Sequence, residues 1–284
     1  CRVAAFCTRC PVVIHTIHGL PFHKYQNVFV NRLYIALEKL CAALTTKIVT
    51  VCPEMKRKAL EKNIGRPEQY ITVYSGINTA PFRSVNEAVI RDIRRSHDIP
   101  DDAFVVGKIA RLFHLKGHRF LLPAARDIIT AHPNTYFLLV GNGILQPSLY
   151  EQARSLGIEK NIVFTGLVPP AEVPAYISAM DIVVHLSLRE GLPRVVPQSF
   201  LLSKPVIAYD IDGAKDIIDD GINGFLIQPE TVAPLREKIE FYLHNPRCID
   251  SMGQAGAEKA WKTFPAEKMV EHLDRLYKSC IPFN

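Results

Sequence analysis

Gly107-Lys108-Ile109-Ala110-Arg111-Leu112-Phe113-His114-Leu115-Lys116-Gly117 is the stretch on which the reading of the fold turns. An apolar run over 104–109 has strand length and composition, and a helical pattern opens at Gly117. Between them stand two cations, Arg111 and Lys116, five positions apart. In an open parallel sheet, ligands bind beyond the carboxyl ends of the strands. Two cations there, beside a helix N-terminus, suit a diphosphate: Arg grips phosphate oxygens bidentately and Lys adds a point charge. The plainer alternative is a pair of solvated cations in a surface loop.

A second stretch completes the pattern. Arg189-Glu190-Gly191-Leu192-Pro193-Arg194-Val195-Val196-Pro197-Gln198 follows an apolar run over 182–186. Pro197 has no N–H and is tolerated only in a helix's first turn, so a helix should begin around 194–196. The backbone N–H groups of Arg194 and Val195 would then stand at its entrance, where an anion can bind. Glu190, just before that entrance, could accept hydrogen bonds from sugar hydroxyls, or act as a capping acid favoured by the helix dipole.

Outward from these two stretches, short β-rich apolar runs alternate with amphipathic stretches, the pattern of parallel sheets covered by helices on both faces. A first set has strands at 11–16, 47–51 and 70–74. Its helices are 28–44, with Val28, Leu33, Leu37, Leu40 and Leu44 near a 3–4 spacing, and one opening at Pro53. A second set begins after about residue 84. Strands are expected at 104–109, 136–140, 162–165, 182–186, 205–209 and 224–227. Helices are expected at 86–96, 117–131, 146–156, 171–179, after Pro193, at 231–244 and from about 249 to 278, broken at Pro265.

The expected organisation is a partial N-terminal Rossmann-like domain over 1–82 and a full-sized one over 83–255. Helices over 256–284 are expected to pack back toward the first domain. Three strands are few for such a domain, and the chain begins with Cys1, so the N-terminal domain is expected to be incomplete by on the order of 100 residues.

Composition bounds the function classes. Of the 284 residues, 48% are hydrophobic and 22% charged, the balance of a globular protein with a core, and no apolar run approaches a membrane span. The net charge of +6 suits phosphate-rich ligands or an anionic membrane surface. No nucleic-acid-binding motif accompanies it. Seven scattered cysteines point to reduced thiols in the cytoplasm, and Cys7-Thr8-Arg9-Cys10 lacks the second ligand pair that a zinc site needs. His15 and His18, three apart at a strand end, favour opposite faces and do not share a metal. Gly141-Asn142-Gly143 has Gln146 where a dinucleotide fingerprint has its third glycine.

Arg111…Lys116-Gly117 taken with Glu190-Gly191…Gln198 resembles the paired donor-site motifs of the family-4 retaining glycosyltransferases. Supporting pieces are His15-Thr16-Ile17-His18-Gly19, Ser75-Gly76-Ile77-Asn78…Phe82, Gly141-Asn142-Gly143, Phe164-Thr165-Gly166-Leu167-Val168 and Asn223-Gly224, in order along nearly the whole chain. The resemblance implies the GT-B fold, two Rossmann-like parallel-sheet domains facing a cleft. It implies transfer of a sugar from a UDP- or GDP-linked donor to a glycan, lipid-linked or small-molecule acceptor.

It assigns Arg111 and Lys116 to the donor diphosphate, in place of a metal, and Glu190 to the hydroxyls of the transferred sugar. Gln198 would contact the ribose, the backbone around Val168 the base, and His18 the reacting carbon and the acceptor. Gly191, Leu192, Arg194 and Val195 would complete the donor site. No metal or other cofactor is implied. A cytoplasmic enzyme at the inner face of a membrane is expected. A donor-binding module without turnover and a nucleotide-sugar epimerase of the same fold are the competing readings.

Two positions depart from the family pattern. Glu is usual where Gln198 stands, and Gly is frequent where Pro193 stands. An amide offers one acceptor group to the ribose where a carboxylate offers two oxygens, so a weaker or rearranged contact is expected. Pro193 removes a backbone donor that Arg194 could replace as a cation.

Overall fold

The computed structural model describes residues 1–280. In chain order the regular elements are α1 (Arg2–Cys7), β1 (Ile14–Ile17), α2 (Val28–Ala43), β2 (Lys47–Thr50), α3 (Pro53–Glu61), β3 (Tyr70–Thr72) and α4 (Glu87–Ser96). They continue with β4 (Phe104–Ile109), α5 (His118–Ala131), β5 (Thr135–Val140), α6 (Gln146–Ser155), β6 (Ile162–Gly166), α7 (Val173–Ser178) and β7 (Ile182–His185). The last are α8 (Val195–Leu201), β8 (Val206–Tyr209), α9 (Ala214–Ile217), β9 (Gly224–Ile227), α10 (Ala233–His244), α11 (Pro246–Thr263) and α12 (Ala266–Cys280).

The chain forms two compact units. One takes Cys1–Ile77, Arg189–Pro193 and the described residues from Thr263 onward; the other takes Asn78–Leu188 and Arg194–Lys262. The boundaries at 77/78 and 262/263 compare with the 82 and 255 expected from sequence.

The larger unit holds six parallel strands in the order β6-β5-β4-β7-β8-β9. Renumbered within the unit this is 3-2-1-4-5-6, the order of a dinucleotide-type sheet, and it reverses between β4 and β7. Both strands are central and, apart from Lys108 and His185, apolar, as strands covered on both faces are. β7 is buried along its whole length. Gly107 lets β4 pass close to a neighbour: a Cβ there would fall 1.8 Å from Met180 Sδ. α4 is tied to the sheet by Arg94, which donates to the Ala179 carbonyl at 3.1 Å and to the Asp181 carboxylate at 3.3 Å; Asp181 also accepts from the Val105 N–H. α11 stays with this unit. Its Gly253 and Gly256 rest against Ser203 O and the Phe200 ring, where a Cβ would come within 2.0 and 2.6 Å.

The smaller unit has three parallel strands in the order β1-β2-β3. α12 belongs to it. Val49, Val73 and Leu276 form a buried cluster, with Met269 and Leu273 packed on its margin. The helix is led in by paired backbone bonds, Ile77 N–H to Phe264 O and Ala266 N–H to Ile77 O.

These elements lie within a few residues of their expected positions; α1 and α9, which no pattern predicts, are too short to show a period. The α2 stripe is helical, as expected. The stripe, however, is exposed: Val28 (60%), Leu33, Leu37 and Leu40 face outward, and the buried residue of this helix is Ala42. A 3–4 spacing reports a helix, not what its apolar face meets.

Candidate functional site

The loop after β4 is stapled on both sides. Ala110 N–H donates to Val140 O at 3.0 Å and Leu112 N–H to Asn142 O at 2.8 Å, which join it to the loop after β5. Lys116 N–H returns to Phe113 O, closing a single tight turn over His114–Lys116. Gly117 then caps α5 in the left-handed region, φ +73°, with no room for a side chain: a Cβ would lie 2.0 Å from Leu186 O. Leu188 N–H donates to Leu115 O, so the loop after β7 is fastened to the same turn. Arg111 and Lys116 therefore stand on a braced loop at the carboxyl end of a central strand, at the switch point of the sheet. Arg111 is exposed, with its guanidinium over the Phe113 ring, 4.9 Å from the centroid; Lys116 is half-buried.

The other predicted donor residues of this unit follow strands β6 and β7. Val168, half-buried, follows β6, whose terminal Gly166 accepts from Gly141 N–H at 2.9 Å. α8 begins at Val195 with Arg194 as its N-cap, inside the 194–196 window, and Pro197 sits in its first turn as its chemistry requires. Arg194 is exposed, Val195 is buried and Gln198 is half-buried. At seven residues α8 is short, so its N-terminus contributes chiefly the N–H groups of its first turn.

Beneath the loop is a buried polar layer that the sequence reading overlooked. Lys108, His118, His185 and Ser187 are all almost wholly buried. Burial, with Lys108 and Lys116 nearby, pushes the His118 imidazole down to about 2 and His185 well below the ordinary range, so both rings are neutral at physiological pH. His118 Nδ1 and Ser187 Oγ have no hydrogen-bond partner. The signal for this layer was in the opening stretch: a lysine in the middle of an otherwise apolar central strand.

The smaller unit holds the remaining predicted residues. His18, just past β1, is exposed. Gly191 lies against it, and a Cβ on Gly191 would stand 2.0 Å from His18 O. Arg189 donates to Leu20 O at 2.6 Å, and Cys52 Sγ to Gly191 O at 3.6 Å. Glu190 is half-buried, and Leu192 is buried, so its side chain packs. The structure thus groups His18 with Glu190, Gly191 and Leu192, and separately Arg111 and Lys116 with Val168, Arg194, Val195 and Gln198.

Among the described residues no group of three or more His, Cys, Asp or Glu side chains could hold a metal ion. The seven cysteines are free thiols. Among the described residues no helix is long and apolar enough to cross a membrane.

The chain is similar to known proteins over nearly its whole length. It is 29% identical over 269 residues to the putative glycosyltransferase EpsD of Bacillus subtilis, covering 94% of this chain and 69% of that protein. It is 26% identical over 280 residues to the Escherichia coli UDP-Gal:alpha-D-GlcNAc-diphosphoundecaprenol alpha-1,3-galactosyltransferase, covering 97% and 71%. Among solved structures, Anabaena HepE in complex with UDP superposes with a TM-score of 0.87 at 22% identity, over 98% of this chain and 75% of that one. The fold is that of the GT-B glycosyltransferases, with parallel sheets of three and six strands. Residues 89–259, well over half of the chain, match the family described as Glycosyl transferases group 1, and the chain belongs to that family.

Proposed function

We propose that this chain binds a UDP- or GDP-linked sugar and transfers the sugar, with retention of configuration, to a glycan or lipid-linked acceptor. The observation that carries the reading is the braced Arg111–Lys116 loop at the switch point, two cations held where a diphosphate would be received. Arg111 and Lys116 neutralise the charge that builds on the departing nucleoside diphosphate, the role a metal ion fills in other transferases. Glu190 accepts from hydroxyls of the transferred sugar, and Gln198 contacts the ribose. The backbone beside Val168 meets the base, with Gly191, Leu192, Arg194 and Val195 completing the donor contacts. His18 lies at the reacting carbon. The leaving phosphate takes the acceptor proton.

Two of these relatives support the donor class: HepE has been solved in complex with UDP-glucose, and the Escherichia coli enzyme is named for a UDP-linked galactose donor and a lipid-diphosphate acceptor. We further propose that the protein works in the cytoplasm, at the inner face of a membrane, where its net charge of +6 would favour anionic lipid.

The test is a calorimetric panel of UDP- and GDP-sugars, with and without EDTA, followed by turnover with candidate acceptors. Arg111→Ala and Lys116→Ala should each weaken nucleoside-diphosphate binding at least tenfold, as expected for charge-assisted hydrogen bonds of about 1.5–3 kcal/mol. Wild-type affinity in both variants overturns the reading. Binding without turnover would leave the chain a donor-binding module, and a changed sugar in the absence of acceptor would make it an epimerase.

A further inference from the structure

We propose that Phe113 is a positioning residue for Arg111, holding the guanidinium in place for the donor diphosphate. The inference rests on the reading of Arg111 given above and extends it to Phe113, to which the resemblance assigns no role. Arg111 is exposed, and a long exposed side chain loses rotamer freedom when it must take one pose for a ligand. Its guanidinium lies over the Phe113 ring at 4.9 Å, within the range of a cation–π contact.

The ring itself is fixed from two directions. Phe113 N–H donates to Arg111 O and Phe113 O accepts from Lys116 N–H, so its backbone is clamped between the two cations. Gly143, from the loop after β5, packs against the ring: a Cβ there would lie 2.8 Å from Phe113 Cδ2 and 2.5 Å from Leu112 O. Leu112 and Leu145 exchange a further bond across the same junction, Leu145 N–H to Leu112 O at 3.0 Å. An aromatic side chain that is 37% exposed is thus held on one edge by a neighbouring loop and presents its face to Arg111. A surface phenylalanine with no such task would be free to turn away. Here a glycine-lined seat keeps it under the guanidinium.

The experiment is a double-substitution cycle read by calorimetric binding of UDP, GDP, inorganic pyrophosphate and the uncharged nucleoside uridine. Phe113→Leu keeps the apolar bulk and removes the ring face; Phe113→Tyr restores it. Phe113→Leu should weaken UDP and pyrophosphate about 2- to 5-fold, the scale of an exposed cation–π contact, and leave uridine unchanged. Phe113→Tyr should recover the loss. In an Arg111→Ala background, Phe113→Leu should have no further effect, because the ring acts through Arg111.

Undiminished UDP and pyrophosphate binding by Phe113→Leu overturns the proposal, and so does an equal loss with and without Arg111. If Arg111→Ala itself binds both nucleotides at wild-type affinity, the diphosphate reading of the loop fails first. The two failures are therefore told apart by the single variants.

Discussion

The backbone of Gly191 lies against the carbonyl oxygen of His18, with 2.0 Å between that oxygen and the position a Cβ would occupy. The contact joins residues 173 positions apart, and the Arg189 bond to Leu20 O reinforces it beside the same turn. It sets the backbone on either side of Glu190.

Gly191→Ala should therefore do two things. A methyl group driven into backbone cannot be absorbed by a rotamer change, so unfolding stability should fall by about 1–3 kcal/mol. Because the displaced segment carries Glu190, sugar transfer should fall by more than the loss of folded protein explains. Thermal unfolding and transfer rates, measured on the same preparations, check both.

The two buried histidines make stability depend on pH in a defined direction. In the folded protein His118 titrates at about 2 and His185 well below its ordinary value, while both titrate near 6.5 once unfolded. The unfolded chain therefore binds protons below pH 6.5 that the folded chain refuses. These groups cost nothing above that pH, and stability is lost as pH falls through 6.5 toward the folded values. At pH 5 the loss should be about 2 kcal/mol for His118, with His185 adding a further loss in the same direction. Denaturant unfolding of wild type and His118→Gln between pH 7.5 and 5 should show the shallower slope in the variant.

Gly107 and Met180 should be coupled. A Cβ on Gly107 would meet Met180 Sδ at 1.8 Å, and both residues are buried. Gly107→Ala alone should cost about 1–3 kcal/mol by overpacking, and Met180→Ala about 2–5 kcal/mol by leaving a cavity. The double variant should cost clearly less than the sum, since the added methyl enters the space the thioether vacates. Equilibrium denaturation of the four proteins measures the coupling.

Gln198 offers a gain rather than a loss. A carboxylate here could accept from both ribose hydroxyls with charge assistance. Gln198→Glu is expected to bind UDP or GDP about 5- to 10-fold more tightly, about 1 kcal/mol or slightly more. A weaker binder in calorimetry would show that the amide is suited to a different arrangement of the ribose.

The sequence carried the order of the elements, the parallel α/β class and the location of the cationic loop, because each depends on near neighbours. Alternation of apolar runs marks strands and helices, Pro197 admits only a first helical turn, and a glycine follows Lys116 where the chain enters α5. Tertiary structure decided the rest. It assigned Glu190, Gly191 and Leu192 to the unit of His18 although they sit in the midst of the larger unit's sequence, through a bond spanning 169 positions. It turned the α2 stripe outward, and it buried Lys108 with two histidines under Lys116. It also seated the Phe113 ring, which the Arg111 guanidinium covers, against Gly143 of the loop after β5. The physical reason is common to all four. Local steric rules act within a turn or two and are written in adjacent residues. Burial, and the contacts that shift a proton or hold a guanidinium, depend on which distant segments the fold brings together.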